Sequence, residues 1–527
     1  MGTKQQHDFD YIVIGSGFGG SVSALRLAQK GYRVAVLEKG KEWKTQDFPK
    51  TNWNLRKYLW LPFFGCYGYQ MLTMFKHVLI GHATGVGGGS LVYANNLLIP
   101  SDKVFEDKAW CIENAKEKLL PHYKVAGKML GVTQSPSVGK ADKLLKEVGI
   151  EITGKDTFHK NDVGIFFGEP DKTVPDPYFD GKGPDRTGCT FCGACMIGCP
   201  VGAKNTLDKN YLYFAKNEGA KIIPQTHVTG VRPLDEGYEV ITQNTIGFLK
   251  KEKIYTAGGV VFSGGVLGTV ELLSKCKDEG MLPNISDGLG DFVRTNSEAF
   301  TGVKSNDKTT DWSDQIAITS GIYPDDTTHI EVVRFNKGSD VLLNLLTIMA
   351  GGGGKMPRVI RYIGAILRHP LRFFKMLWPL GKASTVSLLL VMQTDKNHLK
   401  IDYKPRWWRF GGKSLNSEIP KESQRSPIYI PVANKTAQLL AKKMDGIPLS
   451  LYNEVILNTS ATAHILGGCC MGESADSGVV SNTGQLFNYP NLYVADGSVV
   501  SANLGVNPSL TITALSEHIM STIPEKN

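Results

Sequence analysis

Four cysteines stand within eleven residues of one another, in Gly188-Cys189-Thr190-Phe191-Cys192-Gly193-Ala194-Cys195-Met196-Ile197-Gly198-Cys199-Pro200. Cys189, Cys192, Cys195 and Cys199 have the Cx2Cx2Cx3CP spacing of a ferredoxin. There three such thiolates hold one 4Fe-4S cluster and the fourth serves a second. A second run is absent, so a single cluster would take either Cys199 or a remote thiolate from Cys66, Cys111, Cys276, Cys469 or Cys470. Three readings stay open: a 4Fe-4S cluster, a zinc site, and free thiols that only shape a loop.

Near the start, Gly15-Ser16-Gly17-Phe18-Gly19-Gly20 satisfies GxGxxG through Gly15, Gly17 and Gly20. Gly15 permits a tight turn, Gly17 lets the backbone approach a pyrophosphate, and Gly20 lets helix and strand pack closely. Phe18 and Gly19 open a helix whose free amides suit phosphates. The flanks fit: Asp10 to Ile14 is a β-rich apolar run, and Ser21 to Lys30 carries Val22, Leu25 and Ala28 at helical spacing. Gly31 stops that helix, and Tyr32 to Leu37 is the next strand. Glu38 ends this βαβ unit, where an acid accepts hydrogen bonds from a ribose. In Thr84–Leu91, the residues Gly85, Gly87, Gly88, Gly89 and Ser90 offer a second set of bare amides, suited to a phosphate or a flavin ring. Asn95 and Val228 complete this candidate cofactor set. The N-terminal position and the second loop favour FAD over NAD.

The C-terminal region adds one imidazole beside a glycine pair, in Ala463-His464-Ile465-Leu466-Gly467-Gly468. It also adds Asn503-Leu504-Gly505-Val506-Asn507-Pro508-Ser509 leading into a helix. Pro508 suits a first helical position and Asn507 an N-cap. With Tyr11–Gly20, Gly85–Asn95, Gly202–Thr206, Ala461–Gly468 and Tyr493–Thr513, the chain resembles the glucose–methanol–choline (GMC) oxidoreductases, in their bacterial cholesterol-oxidase-like branch. The resemblance spans nearly the whole chain. It implies that His464 accepts a substrate hydroxyl proton and Asn507 holds the substrate oxygen. It further implies that Asp496, Gly497 and the helix end at Asn507-Pro508 contact the flavin. Histidine, with a reference pKa of about 6.5, suits that proton transfer. Related oxidases of cholesterol also use a glutamate; Glu331 in His329-Ile330-Glu331 is a candidate, while the better-aligned strand Ser384–Met392 has none, a departure that leaves open the choice of sterol and any coupled double-bond isomerisation.

Stepping out to the elements, helices are expected at 113–130, 139–148 and 268–275, with strands at 254–263, 315–322, 385–393 and 492–495. The fold class is α/β (α+β): a discontinuous Rossmann-like FAD-binding domain with a β-sheet-based substrate-binding domain. The expected division is 1–105, 201–298 and 461–527 for the FAD-binding domain, 106–200 for a cap ending in the cysteine run, and 299–460 for the substrate domain. The net charge of +9 is uneven. Between Val341 and Thr394 no acid occurs, while Lys355, Arg358, Arg361, Arg368, Arg372, Lys375 and Lys382 do. Five of these recur at helical spacing among aliphatic and aromatic residues, with Pro370 dividing two helices. Such a segment suits a helix lying on anionic lipid. It holds no uncharged run of the roughly 18 residues a spanning helix needs.

Nucleic acid is excluded as partner, because no binding motif accompanies the charge. The absence of a secretory pattern points to a reducing cytoplasm, with peripheral membrane association. Together these features imply an FAD enzyme oxidising a hydroxyl of a sterol or similar hydrophobic alcohol. The acceptor is O2, an electron-transfer protein or a quinone. The alternatives are a flavin/iron–sulfur dehydrogenase or reductase acting on another lipid, and a flavin-bearing lipid-binding or redox-sensing protein.

Overall fold

The computed structural model describes residues 7–247, 249–354, 356–406 and 411–526; Lys355 of the basic insertion lies outside them. Strand Phe9–Ile14 runs parallel to Val34–Leu37 on one side and to Glu252–Phe262 on the other. Its apolar residues from Tyr11 onward are buried because helix Phe18–Gln29 covers one face, itself packed on helix Ser509–Ser521. The helix ends as the periodicity predicts: Gly31, at φ +84°, takes the left-handed conformation that L side chains resist. Seven strands make up this sheet. Glu252–Phe262, eleven residues long, joins its two halves. The early part of that strand pairs antiparallel with Tyr238–Asn244, and its last residues pair parallel with the C-terminal strand Leu492–Val494.

A second seven-stranded sheet is antiparallel throughout. Its order is Leu346–Ile348, Gly446–Leu451, Ala299–Ser305, Val386–Gln393, Thr328–Val333, Ser320–Ile322 and His159–Lys160. Val386 to Met392 are all buried, as expected of a central strand covered on both faces. Helices Lys140–Thr153 and Pro431–Lys443 cover one face. A smaller sheet joins Gln70–Met74, Val78–Ala83 and Ser460–Thr462.

Boundaries shift where tertiary contacts outweigh local pattern. Helix Ala115–Met129 lies within the expected span, whereas Lys140–Thr153 runs five residues past it and stops at Gly154, φ +71°. The expected strand 315–322 is reduced to Ser320–Ile322. Gln315 there sits at φ +109° and donates its N–H to the carbonyl of Phe191 (3.2 Å), so the segment docks the cysteine loop instead of pairing. In the basic insertion, Arg358–Arg368 and Pro370–Leu377 are helices, and Pro370 opens the second.

One buried charge network ties a covering helix to the second sheet. Asp142 accepts from Gly139 N–H (2.8 Å), Thr319 Oγ1 (2.7 Å) and Ser320 Oγ (2.6 Å), and pairs with the buried Arg334 guanidinium. Removing one partner strands the other in a dry core. Asp142→Ala is therefore expected to lower unfolding free energy by about 3–5 kcal/mol, read by denaturant titration; a loss within 1 kcal/mol would contradict the network's weight.

Candidate active site

Strand Ser460–Thr462 carries the chain directly to His464, whose N–H donates to Thr462 Oγ1 (2.9 Å). The imidazole Nδ1 is hydrogen-bonded to a carboxylate oxygen of Glu298, a side chain with no solvent exposure. The other Glu298 oxygen accepts the Ala463 N–H at 2.8 Å. With Nδ1 engaged, Nε2 is the nitrogen left for the cavity that His464 lines. Burial alone would depress the histidine pKa; the Glu298 carboxylate outweighs it and Glu331 adds to that, so the net shift is upward.

Glu298 was not among the residues singled out from sequence. It closes the polar run Thr295-Asn296-Ser297-Glu298, in which Asn296 and Ser297 take left-handed φ of +54° and +46°. That turn also grips the C-terminal segment: Asn296 donates to the Val506 carbonyl (3.0 Å) and accepts the Gly505 N–H (2.8 Å). The only available signal was a cap-type polar run just before a strand, and nothing in it points to a histidine 166 residues away.

Asn507 is buried, and its amide Nδ2 donates to Glu331 Oε2 (3.3 Å) while its Oδ1 accepts from Asn96 (3.2 Å). Glu331 Oε1 accepts from Asn96 (2.7 Å) and Asn161 (2.6 Å). Burial pushes the Glu331 carboxyl up to about 7, against the pull of the three amides and His464. Strand Thr328–Val333 thus supplies the site's second carboxyl; the facing strand offers only Leu390 opposite Glu331. Asn96 and Asn161 were also missed, since isolated asparagines carry no pattern. The expected N-cap role of Asn507 does not hold. Pro508 occupies the cap position, helix Ser509–Ser521 starts one residue later, and Asn507 spends its side chain on Glu331 and Asn96.

His464 and Asn507 line one cavity of about 780 Å³. Gly15, Gly17, Phe18, Gly19, Glu38, Gly88 and Gly89 line it toward the first sheet, as do Val228, Asp496, Gly497 and Pro508. Its other end is apolar, walled by Phe300, Val333, Phe335, Leu346, Leu388 and Leu390. The remaining glycine-loop residues lie behind the wall. A Cβ on Gly20 would fall 2.0 Å from the Gly15 carbonyl oxygen, so Gly20 serves packing. Gly85 N–H donates to Glu38, Gly87 N–H to Ser16 Oγ, and Ser90 Oγ to the Gly87 carbonyl. Asn95 is buried beside the Cys195 thiol.

Glu38 sits where the two glycine loops meet, at the cavity wall. Its oxygens accept from Ser16 N–H (3.1 Å), Ser16 Oγ (2.6 Å), Gly40 N–H (2.8 Å) and Gly85 N–H (3.1 Å). Ser16 and Gly85 come from the two glycine loops, so Glu38 clamps the loops together. Burial raises the Asp496 carboxyl, which accepts from Ser498 N–H (2.8 Å) and from Thr269 Oγ1.

A dinucleotide fits this cradle. Gly88, at φ +50°, approaches so closely that its Cβ would lie 2.6 Å from Gly17 Cα, while a Cβ on Gly17 would meet nothing nearer than 4.0 Å. The two bare backbones leave an open slot beneath helix amides that lack intrahelical acceptors.

The cysteine run is different. Cys189, Cys195 and Cys199 are buried and Cys192 is exposed. Among the described residues no three His, Cys, Asp or Glu side chains are arranged to hold a metal ion. The ligand set Cys189, Cys192, Cys195 and Cys199 expected for a 4Fe-4S cluster, or for zinc, is therefore not assembled. Cys192 turns to solvent, while the others pack with Ile165, Ala203 and Ile316 in a small apolar core. Burial pushes the Cys195 thiol up to about 11, and Cys189 rises further for the same reason. The remote candidates Cys276 and Cys469 belong to the main core instead. Lys204 fastens the loop: its buried Nζ donates to the carbonyls of Cys195 (2.7 Å), Leu91 (3.0 Å) and Tyr93 (3.1 Å).

Comparison with known proteins places this geometry. GMC oxidoreductase family models match residues 182–278 and 420–516, and an FAD binding domain model matches residues 10–47. A cholesterol oxidase of Acinetobacter baumannii is 45% identical over 100% of this chain and 96% of its own length. A cholesterol oxidase of Mycobacterium tuberculosis is 42% identical over 98% of this chain and 92% of its own. The crystal structure of pyridoxine 4-oxidase from Mesorbium loti shares the fold, with TM-score 0.60 at 13% identity over 97% of this chain and 98% of that one.

The open slot at Gly17 yields a test. Gly17→Val is expected to leave the far-UV dichroism unchanged, because nothing in the protein meets the added Cβ, yet purify with less than about a tenth of the wild-type flavin. Full flavin content by absorbance would show that the slot is not the pyrophosphate site.

Proposed function

Because the chain belongs to the GMC oxidoreductase family, we propose that it oxidises a hydroxyl group of a sterol or comparably hydrophobic alcohol, with FAD as cofactor and O2 as electron acceptor. The observation that carries this reading is the joining of three features in one cavity. A glycine-bare nucleotide cradle, a carboxylate-held imidazole and an apolar compartment share the same 780 Å³. Two cholesterol oxidases matched along nearly their full length support the substrate class. The 1–105, 201–298 and 461–527 segments would form the FAD-binding part, with 106–200 as cap and 299–460 as the substrate part.

FAD, held along Gly15, Gly17, Gly88 and Gly89, would supply the hydride acceptor. The chain's own residues supply proton transfer and orientation. An alcohol hydroxyl ionises far above neutrality, so its carbon releases hydride readily only as the oxygen loses its proton. His464 Nε2 takes that proton. Glu298 fixes the tautomer by holding Nδ1–H and stabilises the imidazolium that forms, the role a buried carboxylate plays behind other catalytic histidines. Asn507 has a second amide hydrogen beyond the one given to Glu331 and uses it to hold the substrate oxygen. Phe300, Leu388 and Leu390 exclude water from the reacting carbon. The poor solubility of such a substrate implies that it is drawn from a lipid surface. No helix among the described residues is long and apolar enough to cross a membrane.

Anaerobic addition of cholesterol to the yellow enzyme is expected to bleach the flavin, and admission of O2 to restore the colour with release of hydrogen peroxide. A spectrum unchanged by any sterol or long alcohol would overturn the reading. His464→Ala should cut turnover by about 10²–10⁴-fold with flavin still bound. The pH dependence follows from the direction of the His464 shift. The base must be neutral, so kcat/KM falls on the acid side as His464 protonates. Its raised pKa places that limb above the ordinary value of about 6.5. Glu298→Gln removes the carboxylate that raises it, so the limb should move to lower pH while kcat drops by about 10²-fold or more. A limb left in place would separate Glu298 from the titrating group.

A further inference from the structure

The two helices of the basic insertion present faces of opposite character. Inward, Tyr362 hydrogen-bonds Thr347 (2.7 Å) on the edge strand of the second sheet, Arg358 pairs with Glu454 (3.5 Å), and Met376 is 1% exposed. This side packs against Leu346, a residue of the apolar cavity wall. Outward, Ile360, Ile363 and Leu367 on the first helix are 51%, 51% and 76% exposed. Leu371, Phe374 and Trp378 follow at 76%, 64% and 66%. Arg368, Arg372 and Lys375 are exposed among them. No carboxylate occurs from Val341 to Thr394 to neutralise them.

We propose that this helical hairpin, residues 358–380, is a docking surface for an anionic phospholipid bilayer, which seats the apolar end of the substrate cavity against the lipid. A contiguous apolar face of this size on a soluble domain marks an interaction site. The accompanying charge selects the partner. A second copy of the chain meeting this face about a twofold axis would set cations against cations with no acid to pair them. A negatively charged headgroup layer neutralises all three cations and accepts the aliphatic and aromatic side chains below it. The helices then lie in the interface plane, and only Leu346 and its neighbours separate them from the cavity. The transfer of substrate from lipid to cavity rests on the proposed oxidation; the binding itself does not.

The test uses FAD-loaded enzyme sedimented with vesicles of phosphatidylcholine alone or with added phosphatidylglycerol, at low and high salt. Wild type should bind the anionic vesicles at least about tenfold more tightly than the neutral ones, and high salt should weaken the difference. Leu367→Ser/Leu371→Ser/Phe374→Ser should lose at least about tenfold in binding to both. Arg368→Gln/Arg372→Gln/Lys375→Gln should lose only the anionic preference. Both should keep wild-type turnover on detergent-solubilised sterol. Wild type remaining in the supernatant with anionic vesicles would overturn the proposal. So would serine variants that bind like wild type, or a wild-type dimer that they convert to monomer without any vesicle binding. Vesicle binding with no turnover on any solubilised sterol would support the docking surface while overturning the oxidation reading.

Discussion

The hydrogen bond between Glu298 and His464 is the constraint on which the site's arrangement depends. Glu298 is wholly buried, and a carboxylate in that position is costly unless its oxygens are satisfied. One oxygen is satisfied by the Ala463 amide and the other by the imidazole, so charge and histidine hold each other in place. The left-handed turn that presents Glu298 also binds Asn296 to Val506 and Gly505, just before Asn507. A single turn at the start of the second sheet therefore registers both C-terminal site segments. Its strained φ values at Asn296 and Ser297 persist because these contacts over-determine it.

Around that pair the electrostatics are divided. Glu298 raises His464 against the effect of burial, whereas burial raises Glu331 to about 7 against the pull of its three amide donors and His464. Asn507 links Glu331 to the cavity that it lines, donating to that carboxylate and accepting from Asn96.

The nucleotide-binding half of the molecule was readable because its signals are local. A strand, a GxGxxG turn, a helix and a stop glycine follow one another within thirty residues, and each is dictated by backbone sterics or hydrophobic period. His464 and Asn507 were legible through resemblance to a family, not through spacing. Glu298, Asn96 and Asn161 were not, because their partners lie far along the chain and their residue types fit any polar loop. The cysteine run shows the opposite failure: its spacing is local and specific, but spacing does not fix where thiols point. The contacts of Gln315 and Ala317 with that loop turn three of them inward and leave Cys192 outside. Glu38 lies between these cases: its strand places it at the cavity, but its bonds to both glycine loops depend on Gly85, 47 residues away.

Strand Glu252–Phe262 has a bearing on how the molecule comes to be made. Its closing residues Val260 to Phe262 are flanked on one edge by the chain's first strand and on the other by Leu492–Val494, 232 positions further on. Contacts so remote in sequence are slow to form, since a long loop must close before they reward it. As the protein leaves the ribosome, the amino-terminal βαβ unit and the three antiparallel strands Thr226–Pro233, Tyr238–Asn244 and Glu252–Phe262 have their neighbours early. The sheet edge that receives Leu492–Val494 stays bare until nearly the whole polypeptide has emerged. An exposed β edge of that kind invites mispairing, so truncations that remove only the last forty residues would endanger folding as well as delete Asn507.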